Sequence, residues 1–337
     1  MLTAYDLFCL KSLVPQGTAH AVTIGNFDGV HTGHRRLIEM TRTRAMEHGV
    51  RSVAVTFDPH PQQLLDGDHA PEPLTTLPRK LELFAALGLD IALVLPFTRG
   101  LAALGPEEFV RSILLDGLGM KSLVVGYDFA LGKDRTGDFA FLRSLGEKSG
   151  FSVERADPVQ VNGQTVSSSR IREFIREGRV DEAAPMMGRP HSVEGTVIHG
   201  FGRGKGLGFP TINISRNSTL LPAPGVYATL VEFAPAEEST PLMAVANIGV
   251  NPTFGGDSLS LEAHILDFSR DVYGCSARIS FIRRLRGEVR FPDVDALTRQ
   301  IAADSAAARS ILSTAGSSAP LPAHRDSPAS KEPSCAL

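Results

Sequence analysis

The stretch IGNFDGVHTGHRRL, residues 24–37, decides how the first half of the chain is interpreted. It begins at the end of an apolar run, residues 19–27, whose length suits one buried strand, and it leads into a segment with helical spacing. His31 and His34 stand three residues apart at the start of that helix, so both imidazoles can face the same side. The stretch therefore predicts a strand–turn–helix corner that presents two histidines to a bound group.

The corner also carries the features of a phosphate site. A helix N-terminus offers free backbone N–H groups and a partial positive charge, and imidazoles beside it can donate hydrogen bonds to phosphate oxygens. Gly25 and Gly29 allow a tight turn and a close approach to a ligand, while Gly33 leaves room between the histidines. The spacing alone is equally compatible with an ordinary corner that bears two surface histidines. A metal site is disfavoured, because no third ligand has suitable spacing.

Length and composition limit the class of protein. The chain has 337 residues, of which 42% are hydrophobic and 21% charged, and this fits two folded domains. The net charge of −3 gives no sign of a nucleic-acid or membrane surface, and no apolar run is long enough to span a membrane. The first 17 residues lack a basic region ahead of their apolar ones, and the three cysteines are scattered. We therefore expect a reduced, cytoplasmic protein.

Apolar runs and helical segments alternate through the first half. Four runs rich in Val, Ile and Leu are expected to form strands covered on both faces, at residues 19–27, 51–57, 90–97 and 122–129. Helical segments lie between them, at residues 34–48, 77–88 and 106–119. This alternation predicts an α/β fold with a parallel, Rossmann-like sheet. Such sheets bind ligands beyond the carboxyl ends of their strands, which is where the histidine corner lies.

The second half has the alternating pattern of antiparallel strands. Beyond a linker near Gly188, apolar and polar residues alternate in five segments, at residues 192–199, 225–233, 242–250, 259–268 and 277–285. Their fairly even spacing predicts a β-barrel or sandwich, followed by an amphipathic helix over residues 293–312. We expect one domain at residues 1–187, a second at residues 188–313, and a disordered tail at residues 314–337.

A glycine-rich segment, HGFGRGKGLGFPTINI at residues 199–214, lies near the start of the second half. It fits neither a Walker A loop nor a G-x-G-x-x-G turn, so it is either a flexible hairpin or a backbone cradle for phosphate. Thr211 and Asn213 share one face of the strand that follows. Two neutral oxygen ligands there could hold a Mg²⁺ ion that keeps its waters and the nucleotide oxygens. The alternative is an ordinary polar strand face after a hairpin.

Other segments offer single candidate residues. Asp128 follows the fourth apolar run and could hold a ribose or a phosphate-bound Mg²⁺, although a lone Asp in a loop is more often a turn former. In SSSRIREFIREG, Ser167 or Ser168 is expected to cap a helix, with Arg172 one turn inside. That arrangement can clamp pyrophosphate, and it also fits an ordinary capped helix. In LSLEAHIL, Glu262 lies on the polar face of an alternating strand.

Several of these segments together resemble a known family. The pattern G-x-F-D-G-x-H-x-G-H at residues 25–34 is similar to the adenylyltransferase signature of prokaryotic bifunctional riboflavin kinase/FAD synthetases, within the wider H-x-G-H nucleotidyltransferase superfamily. TFDPHP, VGYDFALGKDRTGD and VSSSRIR follow in the expected order, the last with Ser169 where Thr is usual. P-T-I-N at residues 210–213 resembles the P-T-A-N motif of the riboflavin kinase module, with Ile212 in place of Ala.

The resemblance implies a fold and two reactions. The fold would be an N-terminal H-x-G-H domain with a parallel sheet and a C-terminal β-barrel with a final helix. The chain would phosphorylate riboflavin to FMN with ATP, and then adenylylate FMN with a second ATP to give FAD and pyrophosphate. His31 and His34 would stabilise charge on the transferred phosphate, and Glu262 would take the proton of the riboflavin 5′-hydroxyl. Mg²⁺ would bind to Thr211 and Asn213.

The resemblance also implies which residues contact the substrates. The residues that would bind ATP in the adenylyltransferase are Gly25, Phe27, Asp28, His31, Gly33, His34, Asp128, Ser167, Ser168 and Arg172. The flavin in that module would be bound by Phe57, Asp58 and Pro59, where Pro59 and Pro61 predict a rigid, extended strand exit. The residues that would bind ATP in the kinase are Gly202, Gly204, Lys205, Gly208, Pro210, Thr211 and Asn213.

Three other interpretations stay open from the sequence. The chain could be a single-activity adenylyltransferase whose barrel only binds flavin. It could be a flavin-sensing regulator, although it has no DNA-reading motif and no basic patch. It could transfer nucleotides to another substrate, because the H-x-G-H corner is shared across its superfamily. The partners implied are small molecules, with neither nucleic acid nor membrane, and the oligomeric state is left open.

Overall fold

The computed structural model describes residues 1–15, 17–132, 135–200, 203–234, 240–250 and 259–315, apart from the side chains of residues 68, 203, 205, 250 and 315. Within this range the chain forms a parallel sheet with helices on both faces, followed by a closed antiparallel barrel. Among the predicted site residues, Gly202 and the side chain of Lys205 lie outside the description. The predicted tail lies outside it from residue 316 onwards.

Six parallel strands form the sheet of the first half, in the order β1–β4–β3–β2–β5–β6. They are β1 (Leu2–Ala4), β2 (His20–Ile24), β3 (Arg51–Asp58), β4 (Ile91–Pro96), β5 (Met120–Val125) and β6 (Ser152–Arg155). The four predicted strands are confirmed as β2 to β5. The edge strands β1 and β6 have only three and four residues, too few to show a strand pattern in the sequence.

Helices connect these strands and continue into the second half. They are α1 (Leu7–Leu13), α2 (Thr32–His48), α3 (Pro61–Leu65), α4 (Leu77–Ala86), α5 (Arg99–Ala103), α6 (Pro106–Phe109), α7 (Phe139–Ser149), α8 (Ser168–Arg176), α9 (Val180–Met187), α10 (Arg203–Gly206) and α11 (Val294–Ala315). Helix α6 continues as a π-helical segment, Val110–Leu115, so the predicted helix over residues 106–119 is shorter and interrupted. A small antiparallel pair, β7 (Gln160–Val161) and β8 (Gln164–Thr165), precedes α8.

The sheet is the middle of three layers. Alternate residues of each strand point to opposite faces. One face packs Val22, Val53 and Leu123 against α1 and α7. The other packs Ala54 and Val124 against α2 and α4. Both faces are therefore buried, which explains why the strands are continuous apolar runs rather than alternating ones.

The order of the strands creates a crevice next to β2. From β2 the chain moves outward through β3 and β4 on one side, then returns to place β5 and β6 on the other side. Connections from neighbouring strands thus diverge at the carboxyl ends of β2 and β5, and parallel sheets bind ligands at such a position. The histidine corner follows β2 directly, as the sequence predicts.

Six antiparallel strands close the barrel of the second half, in the order β10–β13–β12–β11–β14–β9. They are β9 (His191–Ile198), β10 (Ile212–Arg216), β11 (Gly225–Ala234), β12 (Leu242–Val250), β13 (Leu259–Ile265) and β14 (Ser276–Arg286). The barrel interior is filled by apolar side chains such as Ile212, Tyr227, Ile248, Leu261 and Phe281. Residues that alternate with these point outward, Glu262 among them.

Helix α11 packs on the outside of the barrel. Ala308 and Leu312 of the helix are buried against Val226 and Val245 of the barrel. Asp304 is also buried and pairs with Arg286 of β14, whose Nη2 donates to Oδ2 at 2.8 Å and whose Nε donates to Oδ1 at 3.2 Å and to Oδ2 at 3.0 Å. The helix is three residues longer at its C-terminal end than the predicted 293–312.

Helices α8 and α9 join the two parts of the chain. Ile171, Ile175 and Met186 pack with Leu74 of the first half and Leu220 of the second. The backbone N–H of Leu220 donates to the carbonyl of Pro73 at 2.9 Å, and the N–H of Ala223 donates to the carbonyl of Ile175 at 3.3 Å. The junction is therefore a packed interface, and the linker near Gly188 is the C-terminal cap of α9.

The exit of β3 differs from the prediction. Instead of an extended segment, Pro61 begins helix α3, and His60 is its N-cap. Proline is favoured at the first position of a helix, because its fixed φ fits there and its missing N–H is not needed. Among the described residues, no helix is long and apolar enough to cross a membrane.

Candidate active sites

A cleft of about 390 Å³ lies at the carboxyl ends of β2 and β5. Five segments line it: the histidine corner, the start of α3, the residues after β5, the residues after β6, and the start of α8. Predicted residues in its wall are Gly25, Phe27, Asp28, His31, Gly33, His34, Asp128, Ser167, Ser168 and Arg172. The structure thus brings together all ten residues that were predicted to bind ATP in the adenylyltransferase.

The turn before α2 has an unusual backbone. Phe27 and Val30 have positive φ angles of 49° and 39°, which non-glycine residues rarely adopt, and Gly29 has a φ of 82°. A Cβ on Gly29 would meet Leu74 Cδ1 at 2.9 Å, so only glycine fits there. Both Phe27 and Val30 are buried, and their packing against the sheet compensates for part of the backbone strain.

Side chains from distant segments hold this turn. Lys80 Nζ donates to the carbonyl of Asn26 at 2.7 Å, and Ser168 Oγ donates to the carbonyl of Asp28 at 2.9 Å. The N–H of Gly29 donates to Thr75 Oγ1 at 3.2 Å. The turn is therefore fixed by contacts that span the first half of the chain.

Asp28 and Arg172 form a buried ion pair beneath the cleft. The Nη2 to Oδ2 distance is 2.5 Å, and both side chains are less than 10% exposed. The Asp28 carboxylate also accepts the N–H of Leu74 at 2.9 Å and that of Thr75 at 3.3 Å, while Arg172 Nε donates to the carbonyl of Glu72 at 3.0 Å. Because these groups are already bonded to each other, they organise the wall of the cleft.

The two histidine rings are stacked on each other. Their centroids are 3.5 Å apart with an interplanar angle of 14°, and the edge of Phe27 packs against His34. His31 is the N-cap of α2, and its Nδ1 accepts the N–H of His34 at 3.3 Å, which assigns its ring proton to Nε2. A Cβ on Gly33 would lie 3.1 Å from the His31 ring, which explains the small residue between the histidines.

Both histidines are neutral in this environment. Burial lowers the pKa of His31 to about 3, assisted by the positive charges of Arg189 and Arg172. Burial also lowers the pKa of His34 far below its ordinary value, with further contributions from His31, Lys80 and Arg189. Neutral imidazoles keep one N–H donor each, so they can bind phosphate oxygens without a change of protonation.

Other predicted and unpredicted residues complete the cleft. Ser167 is the N-cap of α8, as expected, and its Oγ accepts the N–H of Arg170 at 3.3 Å. Residues of the wall that were not predicted include three with polar or charged side chains, namely His60, Gln62 and Arg135. His60 lies in the TFDPHP segment and Arg135 in the VGYDFALGKDRTGD segment, so the resemblance pointed to both segments although neither residue was singled out.

The predicted flavin residues lie beside the cleft but do not line it. Phe57 ends β3, packs against the main core cluster and meets Phe97 edge-to-face at 5.5 Å between ring centroids. Asp58 and Pro59 are exposed at the end of the strand. The cleft begins one residue later, at His60.

A second cavity, of about 340 Å³, lies between the outer face of the barrel and α11. Thr211, Glu262 and Gly204 are the predicted kinase residues in its wall. Unpredicted residues there include Asn247, His264, Glu288, and the ion pair between Arg286 and Asp304. Local sequence patterns could not place α11 against this face, because that contact joins segments far apart in the chain.

Strand register brings Glu262 between two asparagines. Asn213 of β10 and Asn247 of β12 are its direct neighbours on either side. Asn213 is also so close to the backbone of Gly200 that a Cβ on that glycine would overlap its amide. Glu262 therefore sits in a polar row across three strands, and Asn213 of that row packs against the start of the glycine-rich stretch at Gly200.

Other predicted kinase residues border the cavity less directly. Asn213 does not line it, and neither do Gly208 and Pro210. Gly208 has a φ of 83° and makes the turn before β10, while the carbonyl of Pro210 is bonded to the His264 ring at 2.8 Å. Gly208 and Pro210 therefore shape the backbone that leads into β10.

The donor set around Thr211 fits a magnesium ion. The hydroxyl of Thr211, the carboxylate of Glu262 and the amide oxygen of Asn213 are hard oxygen ligands of the kind that Mg²⁺ prefers. Among the described residues, no group of three or more His, Cys, Asp or Glu side chains is placed to hold a metal. A Mg²⁺ ion here would therefore depend on water and nucleotide oxygens for most of its ligands.

Two family models match consecutive parts of the chain. The model for FAD synthetase matches residues 14–170, and the model for riboflavin kinase matches residues 187–312. The first range contains the cleft beside β2, and the second contains the cavity beside α11.

Curated relatives match over both parts. A bifunctional riboflavin kinase/FMN adenylyltransferase from Pseudomonas fluorescens is 41% identical over 303 residues, covering 90% of this chain and 96% of the relative. One from Escherichia coli K12 is 37% identical over 288 residues, covering 86% and 91%. A crystal structure described as a macrolide-efflux protein from Streptococcus pneumoniae has a TM-score of 0.81 and 28% identity, and covers 91% of this chain and 98% of that one.

The ion pair beneath the cleft gives a first prediction. Asp28→Asn keeps the size of the side chain but leaves Arg172 buried without its carboxylate. We expect the free energy of unfolding to fall by about 3 kcal/mol, because an uncompensated buried charge remains. Urea denaturation measures the change. Asp181→Asn, which breaks an exposed contact of 3.9 Å to Arg283, is the control and should cost less than about 1 kcal/mol. Equal losses in the two variants would contradict the organising role of Asp28.

Proposed function

The chain belongs to the family of bifunctional riboflavin kinases/FMN adenylyltransferases, and on that premise we propose how its residues divide the two reactions. The enzyme phosphorylates riboflavin with ATP to give FMN, and it transfers the adenylyl group of ATP to FMN to give FAD and pyrophosphate. Residues 1–187 would form the adenylyltransferase, and residues 188–313 the kinase, followed by a tail at residues 314–337. Its substrates are small molecules, and we assign it to the cytoplasm.

Adenylyl transfer is assigned to the cleft beside β2. An oxygen of the FMN phosphate attacks the α-phosphorus of ATP, and pyrophosphate leaves from the opposite side. His31 and His34 donate N–H groups to the phosphate oxygens as charge develops on them. The observation that carries this assignment is the stacked, neutral pair of imidazoles at the N-terminus of α2, of which His31 is buried and His34 is half-buried. No covalent enzyme intermediate is required, since positioning and electrostatics suffice for this type of transfer.

The rest of the cleft would bind the remaining parts of the substrates. The N-terminus of α8, with Ser167 and Ser168, suits the pyrophosphate group because it presents hydroxyl and backbone N–H donors. Arg172 adds positive charge below them, and Asp128 is placed to accept from the ribose hydroxyls. For the flavin of FMN we keep the assignment to the exit of β3, at Phe57, Asp58 and Pro59, which border the cleft next to His60.

Riboflavin phosphorylation is assigned to the cavity beside α11. Glu262 would accept the proton of the riboflavin 5′-hydroxyl as that oxygen attacks the γ-phosphorus of ATP, with ADP as the leaving group. Its support is the position of Glu262 in the cavity wall, together with Thr211 and with Gly204 of α10. The glycine-rich segment that includes Gly204, Lys205 and Gly208 would bind the ATP phosphates.

Magnesium is assigned to Thr211 and Asn213. Asn213 pairs with Glu262 in the barrel sheet and Thr211 immediately precedes β10, and Mg²⁺ would neutralise charge on the ATP phosphates when bound. Incubation of the purified protein with riboflavin, ATP and Mg²⁺, followed by chromatography of the flavins, tests the two assignments together. FMN should appear first and FAD afterwards.

The histidine corner gives the second prediction. His34→Ala removes a preorganised donor, so the rate of FAD formation from FMN should fall roughly a hundred- to a thousandfold. FMN formation from riboflavin should persist, and FMN should accumulate. His48→Ala, at the exposed end of the same helix, is the matched control and should leave both rates unchanged. A His34→Ala enzyme that makes FAD at the wild-type rate would rule out the catalytic role of the corner.

The third prediction concerns the base of the kinase. Glu262→Gln preserves size and hydrogen bonding but cannot take up the proton, so FMN formation should fall on the order of a hundredfold. FAD formation from supplied FMN should continue. The control is Glu177→Gln, which changes an exposed glutamate of the α8 C-terminus. Near-normal kinase turnover in Glu262→Gln would show that Glu262 is not the base and is only a polar residue of the barrel surface.

The fourth prediction tests the metal site. Thr211→Ala deletes one oxygen ligand of a sparsely liganded ion, so the Mg²⁺ concentration for half-maximal kinase rate should rise severalfold. Thr211→Ser keeps the hydroxyl and should retain the wild-type value. Thr196→Ala, on the exposed face of β9, controls for loss of a strand threonine. An unchanged Mg²⁺ dependence in Thr211→Ala would place the ion elsewhere.

A further inference from the structure

Arg189 lies in the second part of the chain but contacts the corner of the first. It follows the C-terminal cap of α9 by one residue and falls inside the range that matches riboflavin kinase, residues 187–312. Its side chain nevertheless reaches back to the turn that precedes α2. Only 6% of the residue is exposed, so the contact is part of the interior.

The guanidinium forms a fork on the backbone of the turn. Its Nη2 donates to the carbonyl of Gly29 at 2.5 Å, and its Nη1 donates to the carbonyl of Val30 at 3.1 Å. Nη1 also donates to the carbonyl of Met187 at 3.3 Å, which ties the turn to the end of α9. Gly29 and Val30 both have positive φ, so the hydrogen bonds of Arg189 go to the strained part of the turn.

Burying the Arg189 guanidinium at this position costs free energy. Among the described residues, no carboxylate is bonded to Arg189, and a buried cation without an ionic partner is expensive. Burial, assisted by the positive charges of Arg79, Arg35 and Arg278 and opposed by Asp28, lowers the pKa of Arg189 to about 9. A hydrophobic side chain of similar length would pack at the junction without that cost.

The position of the charge explains what the arginine does. The carbonyl of Val30 belongs to the peptide that leads into His31, so the fork fixes the direction in which both imidazoles enter the cleft. Burial is the main reason that both rings are neutral, and the Arg189 charge lowers their pKa values further, together with Arg172 at His31 and Lys80 at His34. Arg189 does not line the cleft, so its hydrogen bonds and its charge both act on the histidines from the side that faces away from the substrates.

We propose that Arg189 is a positioning residue for adenylyl transfer, which holds the turn before α2 so that His31 and His34 meet the phosphate oxygens. The proposal rests on the proposed role of these histidines. It means that the adenylyltransferase site is completed by a residue that belongs, by sequence, to the kinase part of the chain. Arg189 does not line the kinase cavity, so riboflavin phosphorylation is independent of it.

Steady-state kinetics of the full-length enzyme with two variants test the proposal. Arg189→Met removes the fork and the charge, and kcat for FAD formation should fall about a hundredfold, as expected for a displaced catalytic group. Arg189→Lys keeps the charge but not the fork, and kcat should fall about tenfold. The KM for ATP should change by less than about threefold in both, and riboflavin phosphorylation should stay within twofold of wild type.

The pH profile separates positioning from a merely structural role. Loss of the Arg189 charge raises the pKa of His31 and His34, so the acid limb of kcat for FAD formation should move to higher pH in Arg189→Met and stay in place in Arg189→Lys. The matched control is Arg179→Met, ten residues earlier, whose guanidinium pairs with Glu177 and Glu182 on the surface. This control should retain wild-type kcat for both reactions and the wild-type profile.

Defined outcomes would overturn the proposal. A kcat for FAD formation within threefold of wild type in Arg189→Met would do so, as would a parallel loss of both activities. If Arg189→Met does not fold, Arg189→Lys decides: selective loss of FAD formation supports the proposal, and equal relative losses in both reactions contradict it.

The His34→Ala variant, measured alongside, shows whether the role of Arg189 or the role of the histidine corner is wrong. If His34→Ala is inactive while Arg189→Met is active, only the role of Arg189 is wrong; if His34→Ala is active, the proposed role of the corner is wrong.

Discussion

The cleft beside β2 depends on one buried carboxylate. Asp28 accepts the backbone N–H groups of Leu74 and Thr75 and binds Arg172 of α8, so it joins three segments that are far apart in the chain. The backbone on both sides of it has positive φ, at Phe27 and at Val30. Such a turn persists only where its surroundings determine it fully, and strained backbone of this kind is concentrated at functional sites.

The two cavities are built on different geometric principles. In the parallel sheet, successive connections diverge at the carboxyl ends of β2 and β5, so the crevice follows from strand order and its wall comes from loops. In the barrel, the site lies on a strand face, where register sets Glu262 between Asn213 and Asn247. A change of one residue in that register would turn Glu262 into the barrel interior, so the cavity beside α11 depends on the pairing of β10, β12 and β13.

Local patterns in the sequence predicted the parts of the structure that depend on local physics. The apolar runs gave β2 to β5, and the cap at Ser167 followed from its position before a helical segment. The pairing of Asp28 with Arg172 could not be predicted, because 144 residues separate them and each alone fits an exposed site. The same holds for α11, whose packing over the barrel face makes the second cavity, and for Arg189, whose sequence context indicates only a linker.

The dependence between the two parts of the chain is unequal. The kinase cavity is lined, within the described residues, by positions from Gly204 onwards, so it takes nothing from the first part. The histidine corner, in contrast, takes Arg189 from beyond α9, and without it the buried carbonyls of Gly29 and Val30 would lose their donors. Each unsatisfied buried group costs about 1–3 kcal/mol, which is large beside the strain that this turn already carries. Folding of the junction and order in the adenylyltransferase corner are therefore thermodynamically linked, while the kinase site is free of that link.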